Sequence, residues 1–149
     1  MIRRFESDDA DAVLALNERA MAAEGTDPED VPDIDDLRRI EAEYLDSGGE
    51  FLVAHVDSEI VGMGGLTVDG ERAELFRMRV DPAYQRSGIG AKLLARLEDA
   101  ARERGATRLL AETAARQRGA TAFYPAHGFE ERGRRAFGDY ELVQFEKRL

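Results

Sequence analysis

The run from Leu75 to Leu97 constrains this chain more than any other, because a strand, a glycine-bearing turn and an amphipathic helix follow one another there. Its first piece, LFRMRV, places Phe76, Met78 and Val80 at alternate positions, which predicts a half-buried strand with all three on one face. Asp81 and Pro82 end it, since proline supplies no ladder donor. After DPAYQRSGIG, the residues Ile89, Leu93, Leu97 and Ala101 recur at fourth-residue spacing and share one face of a helix starting at or near Gly88. Such a start offers unpaired N–H groups and a partial positive charge, and Gly88 and Gly90 let an anion approach the backbone. The spacing is neither a Walker loop, which needs Gly-x-x-x-x-Gly-Lys-Ser/Thr, nor a dinucleotide fingerprint, which needs glycine or alanine where Leu93 stands.

The rest of the chain reads as elements that flank this unit. MIRRF predicts a first strand, and the acidic run Ser7 to Asp11 caps a helix carrying Val13, Leu16 and Ala20 on one face. Gly25 to Pro32 breaks that helix. A second helix is expected from an Asp33 cap, with Leu37, Ile40 and Tyr44 on one face and Gly48 or Gly49 closing it. Glu50 to Val56, Ile60 to Val68 and Arg72 to Val80 follow as three antiparallel strands, a meander. Gly62, Gly64 and Gly65 would weaken the middle strand unless something packs closely against them. Arg108 to Thr113, reached by a helical crossover, is expected to lie parallel to the strand before it. A short helix at Gly119 to Tyr124 and a last strand pair, Phe129 to Arg134 and Tyr140 to Phe145, complete the expectation: an α/β fold in one domain, residues 1–149, with a mixed sheet and helices on both faces.

Charge and composition narrow the class. A net charge of -10 argues against nucleic-acid binding, because phosphate neutralisation needs a basic surface. No apolar run is long enough to span a bilayer, and MIRRFESDD lacks the apolar core of a signal peptide, so a cytoplasmic, membrane-free protein is expected. There is no cysteine, and His55 and His127 form no spaced ligand motif, so no metal is expected. Lysine occurs only as Lys92 and Lys147; an acidic, lysine-poor chain suits a high-salt cytoplasm, and a high-GC codon bias accounts for the arginines equally well.

Gln85, Gly88 and Gly90 stand in the order Gln/Arg-x-x-Gly-x-Gly/Ala, after a strand ending Val80-x-Pro82 and before an amphipathic helix. This resembles the acetyl-CoA signature of the GNAT superfamily of N-acetyltransferases. AFYPAHGFEE, from Ala122 to Glu131, is similar to that family's carboxy-terminal block. The resemblance implies a mostly antiparallel seven-stranded sheet, acetyl-CoA as co-substrate, and transfer of its acetyl group to a primary amine of a small molecule or peptide. It further implies that Gln85, Arg86, Ser87, Gly88, Ile89 and Gly90 hold the pyrophosphate, that the Met78 N–H polarises the thioester carbonyl, and that Val80 pairs with the pantetheine arm. Tyr124 matches the family's tyrosine acid. Gln117 stands where the family often has an asparagine that touches the pantetheine.

Acetyl transfer needs a neutral amine, and a base helps to free it. Glu74 is the first candidate: strict alternation puts it in one row with Phe76, Met78 and Val80, and it lies fourteen residues before Gly88, as the glutamate base of the histone-acetylating branch does. Glu112 is the reserve. Arg116 and Arg118 are weaker candidates for the ribose phosphate, while His55, Tyr84 and Lys92 read as structural. A non-catalytic acyl-CoA-binding sensor or pseudoenzyme is the alternative reading, and self-association into a homodimer is left open. The resemblance implies that the first two helices and the loop between the final strands wall the acceptor. Residues 1–60 hold 18 acidic and 5 basic side chains, so a cationic acceptor is expected, either a polyamine-like or basic amine or a protein N-terminus or lysine.

Overall fold

In the computed structural model, which describes residues 1–25 and 34–149, apolar alternation builds the sheet and helical periodicity covers it. The strands β1 (Ile2–Arg4), β2 (Glu50–Val56), β3 (Glu59–Asp69) and β4 (Arg72–Val80) lie side by side in that order. β5 (Arg108–Ala114), then β7 (Tyr140–Arg148), then β6 (Glu130–Phe137) extend the sheet to seven strands. Only β4 with β5 is parallel; every other neighbour pair is antiparallel. The helices are α1 (Ala10–Ala23), the single turn α2 (Asp35–Arg38), α3 (Ile89–Glu103) and α4 (Arg118–Ala126).

Period-two alternation sends β2 to two cores at once. Phe51 and Val53 pack with Val13 and Leu16 of α1 and with Leu37, Ile40 and Tyr44, whereas Leu52 and Ala54 pack with Leu93, Leu94 and Leu97 of α3. Each fully buried leucine contributes roughly 1.5–3 kcal/mol. The helices thus lie on both faces, as expected. The three glycines of β3 are explained by packing: an added Cβ at Gly62 would stand 2.9 Å from Ile89, at Gly64 2.5 Å from the Met78 sulfur, and at Gly65 2.8 Å from the Tyr44 ring. The α3 row that carries Leu93 and Leu97 can therefore lie directly on the β3 backbone. Glu98, buried on the same helix, is paired with Lys147 of β7 at 2.7 Å, which satisfies a charge that burial would otherwise penalise.

The second helix departs from expectation. Its Asp33 cap and the break before it lie outside the described residues, apart from Gly25, whose φ of 75° ends α1. Helical geometry stops at Arg39 (φ -135°) and resumes as a wide turn over Glu41–Leu45, with the Asp46 N–H donating to the Glu41 carbonyl. Leu37, Ile40 and Tyr44 are buried as the spacing predicts, and the widened turn brings Tyr44 against Phe51 and Phe76. The chain then passes so close to β3 that a Cβ on Gly49 would stand 2.0 Å from the Leu66 carbonyl oxygen and 2.9 Å from that of Tyr44. Both obstacles are backbone atoms. Gly49→Ala is therefore expected to cost about 2 kcal/mol or more in urea unfolding; an unchanged midpoint would show that this turn is free to move.

Candidate active site

The site depends on a place where β4 does not alternate. Between the pairs Gly65↔Phe76 and Met63↔Arg79 the ladder advances two residues on β3 and three on β4, so Arg77 and Met78 form a bulge, with Arg77 at φ 57°. Before the bulge, Leu75 faces the α3 core and Phe76 the α1 core; Met78, its second residue, packs on the α3 side. Phe76 and Met78, expected on one face, lie on opposite faces. Glu74 accordingly shares a face with Phe76 and not with Met78 or Val80, because one extra residue inverts the parity of everything after it.

A left-handed backbone at a non-glycine residue costs about 1–2 kcal/mol. Arg77 offsets this through its side chain: Nε and Nη2 donate to the two carboxylate oxygens of Asp36 at 3.0 and 2.7 Å, and the Tyr44 hydroxyl donates to the same carboxylate at 2.7 Å. Charged hydrogen bonds contribute about 1.5–3 kcal/mol each, enough to hold the bulge against α2. Burial alone would raise the Asp36 carboxyl, but the bonds from Arg77 and Tyr44 and the arginine charge hold it below its ordinary value. Burial first, then the Asp36 carboxylate, push the Tyr44 phenol up.

The parallel ladder between β4 and β5 covers only Arg72–Glu74 against Arg108–Leu110. Beyond it the strands diverge, and a cleft of about 610 Å³ opens beside the carboxy-terminal half of β4. At its mouth, Arg86 (φ 63°) and Gly88 (φ 87°) turn the chain into α3. The first bond of that helix runs from the Lys92 N–H to the Gly88 carbonyl, so the N–H groups of Ile89, Gly90 and Ala91 have no helical acceptor. Asp81 pins this loop: it accepts from the Ala83 N–H at 2.9 Å and pairs with Arg19 of α1 at 3.0 Å. Gln85, Arg86, Gly88, Ile89 and Gly90 line the cleft, as do Met78 and Val80; Ser87 does not, and its hydroxyl donates to the Tyr84 carbonyl.

The opposite wall comes from α4. Tyr124 is 6% exposed, its ring packed on Phe129 and Phe145, and its hydroxyl bonds no described residue. Burial pushes the phenol up to about 12, against the pull of the Arg79 charge. Gln117 reaches the cleft, but its amide is engaged: Oε1 accepts from Thr113 at 2.7 Å and Nε2 faces the Met21 sulfur at 3.6 Å. His127 also lines the wall, its Nδ1 2.8 Å from the Phe123 carbonyl.

The remaining candidates fall elsewhere. Glu74 is half-buried at the apex of the V between β4 and β5, four residues from Met78 and outside the cleft lining; burial raises its pKa, with Arg72 opposing and Glu112 adding to the rise. Glu112 is gripped by Arg135 at 2.7 and 2.8 Å and by Gln144, and the Arg135 bonds hold its pKa down, which suits an ion pair better than a base. Arg116 stacks on Tyr140, and neither it nor Arg118 lines the cleft. Three contributors escaped sequence reasoning: Glu24 and Arg79 in the cleft wall, and Asp36 behind the bulge. The available signal was FRMRV itself, since two arginines in a strand covered on both sides each need a reason. The described acids of the first 60 residues mostly face outward or are ion-paired, and among them only Glu24 reaches the cleft.

Comparison with known proteins agrees with this construction. The family profile described as "Acetyltransferase (GNAT) family" matches residues 13–129. A mycothiol acetyltransferase of Clavibacter sepedonicus is 37% identical over 105 residues, 68% of this chain, although the chain spans only 33% of that relative's length. An acetyltransferase of Photorhabdus laumondii is 37% identical over 112 residues, covering 73% of this chain and 71% of its own. Among solved structures, an acetyltransferase of the GNAT family from Staphylococcus aureus superposes with a TM-score of 0.90 at 27% identity, over 100% of this chain and 98% of that one. The chain belongs to the GNAT family of acetyltransferases. Its fold is shared with an N-acetyltransferase of Thermoplasma acidophilum solved in complex with coenzyme A (TM-score 0.77, 20% identity, 100% of this chain and 98% of that one).

The Asp36 clamp has a pH signature. Its folded pKa lies below the ordinary 3.8, so its stabilisation is complete above that value and is lost as the pH falls through the folded pKa. The stability gap between the wild type and Asp36→Asn, measured by urea unfolding, should be constant above about pH 5 and shrink towards about pH 2. A gap that persists at the acid end would show that the carboxylate charge does not hold the bulge.

Proposed function

We propose that this protein transfers the acetyl group of acetyl-CoA directly to a primary amine of a small molecule or peptide. The observation that carries the reading is one cleft with an anion-receptive helix start at its mouth and, on its far wall, a buried phenol that bonds no described residue. The residues present fit the cofactor. The free N–H groups at the start of α3, with Arg86 beside them, would receive the pyrophosphate, and the backbone of Met78 and Val80 would take the pantetheine arm along the open edge of β4.

When bound, the thioester supplies the acetyl carbon, whose bond to sulfur breaks as the bond to nitrogen forms. The Met78 N–H, freed from regular pairing by the bulge, serves as the donor to the carbonyl oxygen. Tyr124 meets the departing sulfur. With its phenol near 12 and a thiol near 8.5, complete proton transfer would be uphill by about 5 kcal/mol, so Tyr124 acts mainly as a hydrogen-bond donor. The proton that leaves the amine passes through water to Glu74, whose burial raises its pKa towards a base's range; Glu24, in the cleft wall, is the direct competitor.

Incubation with acetyl-CoA and a panel of amines, with free thiol as the readout, tests the reading. Thiol should appear with at least one amine, and Tyr124→Phe should slow it about 10²-fold or more at unchanged cofactor affinity. Glu74→Gln should slow it most at low pH, where neutral amine is scarcest; the same loss in Glu24→Gln instead would move the base to the cleft wall. Coenzyme A binding without thiol release would leave only a sensor.

A further inference from the structure

Arg79 has no role in the chemistry above, and its surroundings are unusual for this chain. It lies one residue past the bulge on the α1 face of β4, where Nε donates to Asn17 Oδ1 at 3.2 Å and Nη1 to the neighbouring Met78 carbonyl at 3.1 Å. Both partners are neutral. Among the described residues Arg79 forms no ion pair, whereas Arg77, two positions away, is clamped to Asp36. The other arginines without an ion pair, Arg86, Arg96, Arg116, Arg118 and Arg148, are all exposed; Arg79 alone is drawn into the protein, and it lines the cleft. Burial, reinforced by repulsion from Arg77, lowers its pKa to about 10, so it stays charged at neutral pH while short of counter-charge.

Resting on the transferase reading, we propose that Arg79 selects acceptors that carry a carboxylate close to the amine, binding that carboxylate from the α1 side of the cleft. The cofactor's phosphates are poor claimants for this cation. Their receptive groups are the Gln85 to Gly90 loop and the start of α3, and α3 packs on the other face of the sheet. A planar guanidinium with unused N–H donors matches a carboxylate, and Asn17, itself buried on α1, fixes the direction in which it is offered. Glu24, about two turns beyond Asn17 at the carboxy-terminal cap of α1, is the only acidic side chain among the described residues of the cleft wall, so an amino acid meets an opposite charge for each of its ends. The expectation of a cationic acceptor, drawn from the acidity of the first 60 residues, has no comparable cluster of carboxylates behind it among the described residues of the cleft wall.

The test compares amino acids with their carboxamides in the thiol-release assay at fixed ionic strength, for the wild type and Arg79→Gln. The wild type should show a kcat/KM about tenfold or more higher for the acid than for the amide. Arg79→Gln should remove that preference by lowering the value for the acid alone, with the coenzyme A Kd from calorimetry unchanged. Equal kcat/KM for acid and amide in the wild type would overturn the proposal without using the variant at all. An Arg79→Gln protein that keeps the preference but binds coenzyme A more weakly would return the residue to the cofactor. Absence of thiol with every amine would remove the transferase reading and this proposal together, whereas release that ignores the carboxylate removes this proposal alone.

Discussion

Everything at the site follows from how briefly β4 and β5 pair. A parallel ladder of three residue pairs, Arg72–Glu74 with Arg108–Leu110, joins the amino-terminal meander to the carboxy-terminal strands, and then the strands part. Ordinary alternation would have let β4 continue beside β5. The bulge at Arg77 and Met78 instead bends it away and inverts its faces, so that on the side away from β3 the backbone of Met78 to Val80 borders the cleft rather than β5. The left-handed residue this requires is held by Asp36 and Tyr44, residues whose only sequence signal is an acidic turn and an apolar period. A small segment on one face of the sheet thus determines what the cleft can bind.

The acidity of the first 60 residues has a similar structural use. Asp9 grips Arg3, Glu50 grips Arg4 and lies 3.5 Å from Arg104, and Asp36 grips Arg77. Each pair joins elements that the chain must bring together, and arginine suits the task because its planar fork fixes direction as well as charge. In pairs of this kind desolvation opposes the attraction, but removing one partner is costly because it leaves the other charge buried and unpaired. Arg79 stands out against that pattern because it has no ion-pair partner among the described residues.

Much of the fold was legible because both periodicities are strong. Strand limits for β2 and β4 follow from the apolar runs, and Leu93, Leu97 and Ala101 are buried as fourth-residue spacing requires. The loop from Gln85 to Gly90 was legible for another reason: glycine at a helix start is a local signal that needs no partner. The face of Met78 was not legible, because a bulge is fixed by what packs on both sides of a strand and leaves the composition of the strand unchanged. The interrupted second helix was hidden likewise, since Leu37, Ile40 and Tyr44 fit a continuous helix and a widened turn equally well. Glu24 escaped because an acidic residue at the end of an acidic helix looks like solvated surface until the cleft is in place.

The central claim is that the start of α3 holds the phosphates of coenzyme A. Calorimetric titration of coenzyme A into the wild type, Gly90→Ala and Gly90→Asp measures it directly. A Cβ at Gly90 would lie 3.3 Å from the Phe123 ring and 3.6 Å from Val80, so the alanine variant reports the crowding alone. The aspartate adds a carboxylate facing the phosphates, where like charges cost several kcal/mol. The account predicts a modest loss of affinity for the alanine and a loss of about 10²-fold or more for the aspartate. Equal affinity in the wild type and Gly90→Asp would contradict it and remove the cofactor from this loop.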